Sequence, residues 1–218
     1  MHQGKRLGNR WMPRACWIVC PWYWNMLFAL MAAGVLWVSY DYMFSGGKVL
    51  VLTEWHENGQ KKFEYSYKNG KQEGLHTSWH ANGQKAWEAT FKDGKQEGLR
   101  TTWHENGQKT WEATFKDGKK EGLHTVWHAN GQKIWEATFK NGKQEGLQMA
   151  WHVNGQKARE TTFKNGKQNG QHIQWHANGQ KAGEGSFKDG NIEGPWTEWN
   201  ENGKVIKQVN YKNGQEES

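Results

Sequence analysis

Apolar and polar residues alternate along most of this chain in short runs that return at a fixed interval. The run from Lys85 to Lys92 alternates Trp, Ala and Phe with Glu, Thr and Lys, and the run from Lys95 to His104 alternates in a similar way. A period of two is typical of β-strands that are buried on one side. The runs recur every 24 residues, each marked by a tryptophan: Trp55, Trp79, Trp103, Trp127, Trp151, Trp175 and Trp199. The sequence therefore predicts a repeat protein in which each unit contributes two strands.

Two series of dipeptides separate these strands and are typical of tight turns. Asn-Gly and Asp-Gly tolerate positive φ, which a type I′ hairpin turn requires at both central residues. The first series includes Asn82-Gly83 and Asn106-Gly107, and the second includes Asp93-Gly94 and Asp117-Gly118. We expect type I′ turns in both series.

Glycine also recurs inside the second strand of each unit, as at Gly98 and Gly122. Glycine within a strand pattern often marks a β-bulge or a close backbone approach, which we expect at these positions. The unit fits six times and once in part, so residues 51–218 are predicted to form an all-β repeat array. Its strands would make an elongated, twisted, single-layer antiparallel sheet of stacked hairpins.

The alternation predicts one apolar and one charged face for this sheet. Because a single layer has no second sheet to cover its apolar face, exposed aromatic residues there would mark an interaction site. The candidates for binding a partner are Trp79, Trp87, Phe91, Trp103, Trp111, Phe115, Trp127, Trp135 and Phe139. The alternative is that the sheet curls and these rings stack on one another as its core.

The N-terminal part of the chain departs from the repeat. Residues 15–40 carry no charge, and this stretch is long enough for one transmembrane helix. Four basic residues precede this stretch, so the positive-inside rule places residues 1–14 in the cytoplasm and the repeats outside it. We therefore expect a single-pass anchor or uncleaved signal at 15–42 and a linker at 43–50. A cleaved secretory signal, which would make the protein secreted, is the alternative.

Charge and cysteine usage narrow the function classes. The formal net charge is +7, but residues 1–21 hold four basic and no acidic residues, which leaves 25 basic against 22 acidic residues in the rest. Lys and Glu are interleaved in every unit, a mixed surface that argues against binding to nucleic acid. No cysteine occurs from 21 to 218, so the array has to be stable without disulfides.

Histidines and glutamates also recur, without a pattern that points to catalysis. The column of His56, His80 and their equivalents has members roughly 10 Å apart, too far to share a metal ion. The glutamates equivalent to Glu88 are expected to form solvated pairs with lysines equivalent to Lys92. Because no nucleophile stands in a distinct setting with a base, we predict no enzyme activity, no metal and no cofactor.

The string from Phe91 to Gly107, FKDGKQEGLRTTWHENG, resembles the MORN repeat in its variant form, and in particular the YwqK-type antitoxin component of toxin–antitoxin modules. The resemblance covers about residues 51–214 and implies an elongated sheet of stacked hairpins that serves as a scaffold or membrane-proximal binding module. The later units depart from the pattern, since Trp87, Trp111 and Trp135 are matched there by Arg159, Gly183 and Lys207. These units are expected to pack less well or to form a cap with contacts of their own.

The predicted function is accordingly a non-enzymatic, membrane-anchored scaffold that binds an unidentified protein, with a toxin as the partner that the resemblance implies. A carbohydrate- or phospholipid-binding module of the cell envelope and a purely structural spacer are the alternatives.

Overall fold

The computed structural model describes residues 27–31, 34–42 and 48–217, and all regular structure in these ranges is β-strand. The strands are β1 Leu27–Met31, β2 Gly34–Tyr42, β3 Lys48–Trp55, β4 Lys61–Lys68, β5 Lys71–Gln72, β6 Gly74–Trp79, β7 Lys85–Lys92, β8 Lys95–Trp103, β9 Lys109–Lys116, β10 Lys119–Trp127, β11 Lys133–Lys140, β12 Lys143–Trp151, β13 Lys157–Lys164, β14 Lys167–Trp175, β15 Lys181–Lys188, β16 Asn191–Ile192, β17 Gly194–Trp199, β18 Val205–Lys212 and β19 Gln215–Glu216.

These strands form one antiparallel sheet in which each strand pairs with its neighbours in the chain. The pairs β5 and β6, and β16 and β17, each take the place of one continuous strand and are interrupted at Glu73 and Glu193. The predicted all-β array of stacked antiparallel hairpins is confirmed. Strand β3 begins at Lys48, slightly ahead of the expected boundary at residue 51.

The segment predicted as a transmembrane helix, 15–42, lies partly outside the described residues. Within it the structure describes two paired strands, Leu27–Met31 and Gly34–Tyr42, where the sequence predicts helix, and the second of them pairs with β3. None of the described residues forms a helix with the length and apolar character that crossing a bilayer requires. The membrane anchor as a whole stays a prediction.

The two series of Asn-Gly and Asp-Gly dipeptides form different turns. At Asp93-Gly94 both residues have positive φ, 50° and 82°, and the turns at Asp117-Gly118 and its other equivalents agree, so type I′ is confirmed for this series. At Asn82-Gly83 only the glycine has positive φ, at 83°, and Gly83 N donates to His80 O at 2.9 Å. The type I′ prediction is therefore wrong for Asn82-Gly83, Asn106-Gly107 and their equivalents, which form a longer loop closed by a left-handed glycine.

The longer loop accompanies a shift in strand register at its base. Strands β6 and β7 are in register from Gly74 to Ser78, but a bulge then pairs Trp79 with Lys85. The loop that joins them is closed by a second bond, from His80 N to Gln84 O at 2.8 Å. A turn followed by a left-handed residue is the usual way to join strands across such a bulge.

The predicted bulges at Gly98 and Gly122 are confirmed. Both glycines have positive φ, 80° and 76°, and the register between β9 and β10 shifts between Glu121 and His124. The extra residues lie on the second strand of each hairpin. The bulge leaves the leucine that follows each glycine unpaired within its own hairpin, and it pairs instead with a threonine of the next unit, as Leu99 does with Thr114.

Candidate functional site

Strand register divides the nine candidate aromatic residues between the two faces of the sheet. Trp87 pairs with Thr102, and Thr102 pairs on its other side with Trp111. Directly paired residues of antiparallel strands lie on the same face. One face, called here the aromatic face, thus carries Trp87, Phe91, Trp111, Phe115, Trp135 and Phe139.

The remaining three candidates lie on the opposite face. Glu88 pairs with Thr101, and Lys85 binds Glu88 while its Nζ lies 5.8 Å from the ring centroid of Trp103. The same arrangement recurs for Lys61 over Trp79, at 5.6 Å, and in the unit of Trp127. We call this the lysine–tryptophan face, and it carries Trp79, Trp103 and Trp127.

The prediction of a single apolar surface holding all nine residues is therefore wrong. The two-residue turn at Asp93-Gly94 pairs Lys92 with Lys95, and counting from that pair places Leu99, Thr101 and Trp103 on the side of Glu88. The predicted glutamate–lysine pairs also differ, because Glu88 binds Lys85 rather than Lys92, and each equivalent glutamate likewise binds the lysine three residues before it.

Packing on the aromatic face combines large and small residues. Ala89 and Ala113 are about 1% exposed. Arg100, which has a long side chain, is the residue that pairs with both of them on the strand between. The same alternation recurs along the sheet, with His76, His124, Gln148, His172 and Trp196 at the positions equivalent to Arg100. Phe91 and Phe115 are buried, at 9% and 8% exposure, so these two candidates belong to the core.

Cations lie between the rings of the aromatic face. The guanidinium of Arg100 lies 5.6 Å from the ring centroid of Trp87 and 5.0 Å from that of Trp111. Lys120 Nζ lies 5.0 Å from the ring centroid of Phe139 and 3.1 Å from His124 Nδ1. Cation–π contacts of this kind offset part of the free-energy cost of removing a charge from water.

Burial changes the acidity of these groups. It lowers the pKa of Arg100 and of Lys120, where the neighbouring charge of Arg100 adds to the effect. The pKa of His124 is lowered to about 4, first by burial and then by the charge of Lys120. The aromatic face is thus a mixed core of rings and cations, which the sequence pattern did not indicate because it placed Arg100 among surface residues.

Leucine side chains form a row of exposed apolar residues on the lysine–tryptophan face. They occupy one position in successive units, where the bulge lifts them from the sheet, and they are 42–54% exposed. We call them the leucine column: Leu75, Leu99, Leu123 and Leu147. Equivalent positions of successive units are roughly 10 Å apart, because two strands separate them. Sequence reasoning did not single out these residues, although their recurrence after each bulge glycine is a signal in the pattern.

Side chains of most of the longer loops join one unit to the next. His80 Nε2 is hydrogen-bonded to Trp103 O at 3.0 Å, and Asn82 Nδ2 donates to Glu105 O at 2.7 Å. His56, His152 and His176 make the same bond to the tryptophan of the following unit. Several of the histidines that the sequence places beside the turns therefore connect successive units.

In all but one of these units a glutamate forms a third connection, to the next type I′ turn. Glu73 Oε2 accepts from Asp93 N at 2.8 Å, and Glu97 Oε2 accepts from Asp117 N at 2.8 Å. The bond recurs at Glu121, Glu145 and Glu193. In the remaining unit, Asn169 replaces the glutamate, and its Nδ2 lies 3.5 Å from Asp189 Oδ1 instead.

Comparison with known proteins supports the repeat class. The family described as MORN repeat variant matches residues 48–69, 96–117, 168–189 and 192–213. Each matched segment contains the longer loop, flanked by parts of the strands whose faces are described above. No curated protein gives a significant match to the chain. In these four segments, then, the chain is similar to the MORN repeat variant family.

Proposed function

We propose that this protein is a non-enzymatic scaffold whose repeat sheet binds another protein through the leucine column. MORN repeats commonly mediate contacts with proteins or membranes. The observation that carries the proposal is the exposure of Leu75, Leu99 and Leu123, each more than half accessible and aligned along one face. Apolar residues that are exposed in a row, rather than singly, are typical of interaction sites.

The charges around the leucine column favour a partner protein whose binding surface has an apolar centre and a polar rim. Lys85 and Glu88 pair on the same face as Leu99, and the pair Lys109 and Glu112 repeats this in the next unit. A partner that covers the leucines would meet alternating charges at the edges of the contact. This arrangement matches the usual anatomy of protein interfaces.

The apolar segment at 15–42 is proposed to hold the scaffold at a membrane, with residues 1–14 in the cytoplasm and the repeats on the other side. Cleavage of the segment, which would release the repeats as a secreted protein, is the alternative. The role of antitoxin, with a toxin as the bound protein, rests on the resemblance of the repeat sequence alone.

A carbohydrate-binding role is less well supported. Stacking on a sugar requires an open ring face, but a lysine Nζ lies 5.6–5.8 Å from the ring centroids of Trp79, Trp103 and Trp127. On the aromatic face, Trp87 and Trp111 have Arg100 between them. A phospholipid-binding module and a spacer whose copy number alone matters remain as further alternatives.

Crosslinking followed by mass spectrometry in the native cell tests the proposal. The variant Leu75→Gln, Leu99→Gln, Leu123→Gln should lose the crosslinked partner, and glutamine is compatible with the fold because Gln171 occupies the equivalent position. Val153→Gln is the matched control, since Val153 is 71% exposed but lies outside the column. If the triple variant keeps the same partner at the same yield, the leucine column is not the binding site.

A further inference from the structure

The unit that contains Asn169 lacks one connection that the other units make. At the equivalent position of four earlier units and one later unit, a glutamate carboxylate accepts from the backbone N–H of the next type I′ turn at 2.7–2.8 Å. Asn169 has no negative charge to offer, and its amide nitrogen points to Asp189 Oδ1. The N–H of Asp189 is therefore left without the carboxylate that its equivalents bind.

A cavity of about 750 Å³ lies at this place. Two side chains that would fill it are shortened, because asparagine stands at 169 instead of glutamate and serine at 186 instead of the threonine found at Thr90, Thr114, Thr138 and Thr162. The backbone also differs, since Gly170 has a φ of 111° whereas Gly74, Gly98, Gly122 and Gly146 lie between 76° and 82°. The volume falls in the range of ligand pockets, roughly 300–1,000 Å³.

The residues that line the cavity carry a net positive charge. Its lining includes Lys143, Lys164, Lys167 and Lys188, against the two carboxylates of Asp189 and Glu193. The Glu193 carboxylate is already engaged, because its Oε2 accepts from Asn213 N at 2.8 Å. Four ammonium groups against two carboxylates leave an excess of two positive charges. A phosphate monoester carries about −1.5 to −2 at neutral pH, which matches this excess better than a single carboxylate does.

We propose that the cavity beside Asn169 binds the phosphate group of a small soluble molecule. One phosphate oxygen takes the place of the missing glutamate carboxylate and accepts from the N–H of Asp189. The lysine ammonium groups neutralise the remaining charge, as lysines commonly do for bound phosphate. The inference is independent of the leucine column, which lies at another position of the repeat.

Titration calorimetry of the full chain with inorganic phosphate at low ionic strength tests this site, because salt screens contacts with exposed lysines. Asn169→Glu restores the carboxylate found in the other units and should weaken phosphate binding about tenfold or more, as expected for the loss of a charge-assisted contact. Ala177→Glu is the matched control. It adds the same charge in a longer loop, at the opposite edge of the sheet, where Glu105 and Glu201 stand in other units.

Binding in the parent protein and in Ala177→Glu, with a loss confined to Asn169→Glu, supports the proposal. Equal weakening in both variants would indicate diffuse attraction to the lysines and overturn it, as would the absence of phosphate binding to the parent protein at millimolar concentration. A parallel titration with vesicles containing phosphatidic acid separates the sources. Binding to those vesicles but not to free phosphate would overturn the proposal that the ligand is a small soluble molecule.

Discussion

The central and C-terminal units build the same sheet with different cores on the aromatic face. In the centre, Trp111 and Trp135 lie on either side of His124, whose paired neighbours are the alanines at 113 and 137. Near the C-terminus the flanking tryptophan is replaced by Gly183, and the ring comes instead from Trp196, which is 9% exposed. The tryptophan has moved to the position of the histidine.

Small residues make room for this exchange. A Cβ placed on Gly185 would lie 2.3 Å from Cε3 of Trp196, so alanine, which the central units carry at this position, does not fit there. His172 stacks on Trp196 with centroids 5.7 Å apart. A larger ring at one position is thus accommodated by smaller residues at the neighbouring positions, here Gly183 and Gly185 beside Trp196.

The largest effect is expected from removing the ring of Trp196. Trp196→Ala should destabilise the C-terminal units by about 3–5 kcal/mol, because a buried aromatic side chain is replaced by a cavity. Hydrogen exchange of the amides in β14 to β18 would measure this locally, which suits a repeat array whose units can open separately. Trp111→Ala provides the central comparison and should cost less, since Trp111 is only half-buried. An equal cost in both regions would contradict the exchange of roles.

A double-mutant cycle tests the fit between Gly185 and Trp196. Gly185→Ala alone should cost about 1–3 kcal/mol, because the added methyl group forces the Trp196 ring to move. In the background of Trp196→His, which recreates the central pairing of histidine with alanine, the same change should be nearly neutral. The measurement is denaturant unfolding of the four proteins. A cost of Gly185→Ala that is independent of residue 196 would show that the two positions do not interact.

A fall in pH should destabilise the central unit through protonation of His124. Its pKa is lowered to about 4 by burial and by Lys120, whereas histidine in the unfolded chain titrates near 6.5. The unfolded chain therefore binds a proton that the folded chain does not, and stability falls as the pH drops from about 6.5 to 4, by up to about 3 kcal/mol. Stability curves at several pH values should show this loss.

His124→Gln is the informative variant for that experiment, because Gln148 occupies the equivalent position one unit later and is equally buried. The variant should lose part of its stability change between pH 6.5 and 4 while staying folded at neutral pH. His76 and His172 also have lowered pKa values, with burial as the first cause, so some acid sensitivity is expected to remain. A pH profile identical to that of the parent protein would mean that folding does not lower the pKa of His124.

The smallest effect is expected on the other face, where both regions carry an exposed lysine–glutamate pair. Lys109→Ala in the centre and Lys181→Ala near the C-terminus each remove an exposed lysine from a pair with the glutamate three residues later. Each should cost less than about 1 kcal/mol, as exposed ion pairs usually do. Thermal unfolding of the two variants should give matching small shifts. A clear difference between them would show that the lysine–glutamate pair contributes differently to stability in the two regions.

Local signals in the sequence were sufficient for the strands and for one class of turn. Lys85–Lys92 follows from alternation, and Asp93-Gly94 follows from its tolerance of positive φ. The turn at Asn82-Gly83 could not be assigned from the dipeptide alone, because the bulge at Trp79 sets its geometry. Alternation within one strand also cannot show which of its faces continues the apolar face of the next strand. Counting residues across the two-residue turn could nevertheless have shown that Trp103 and Trp87 lie on different faces of the sheet.

The candidate site was harder to predict, because exposure depends on packing between units. Arg100 reads as a surface residue, yet it pairs with Ala89 and Ala113 and is half-buried. Leu99 reads as a core residue, but the bulge beside Gly98 leaves it half exposed. Both outcomes depend on contacts between residues of neighbouring strands, which no single unit of the sequence specifies.

The bonds between successive longer loops bear on how such a chain changes in length. His80 reaches Trp103 O and Asn82 reaches Glu105 O, so each bond joins a residue to a partner almost one full period later. In-frame copying or loss of a complete unit of coding sequence keeps this spacing at the new junction. An insertion of any other size places the wrong atom opposite each donor. The chain can therefore gain or lose whole units while these bonds to backbone carbonyls keep their partners.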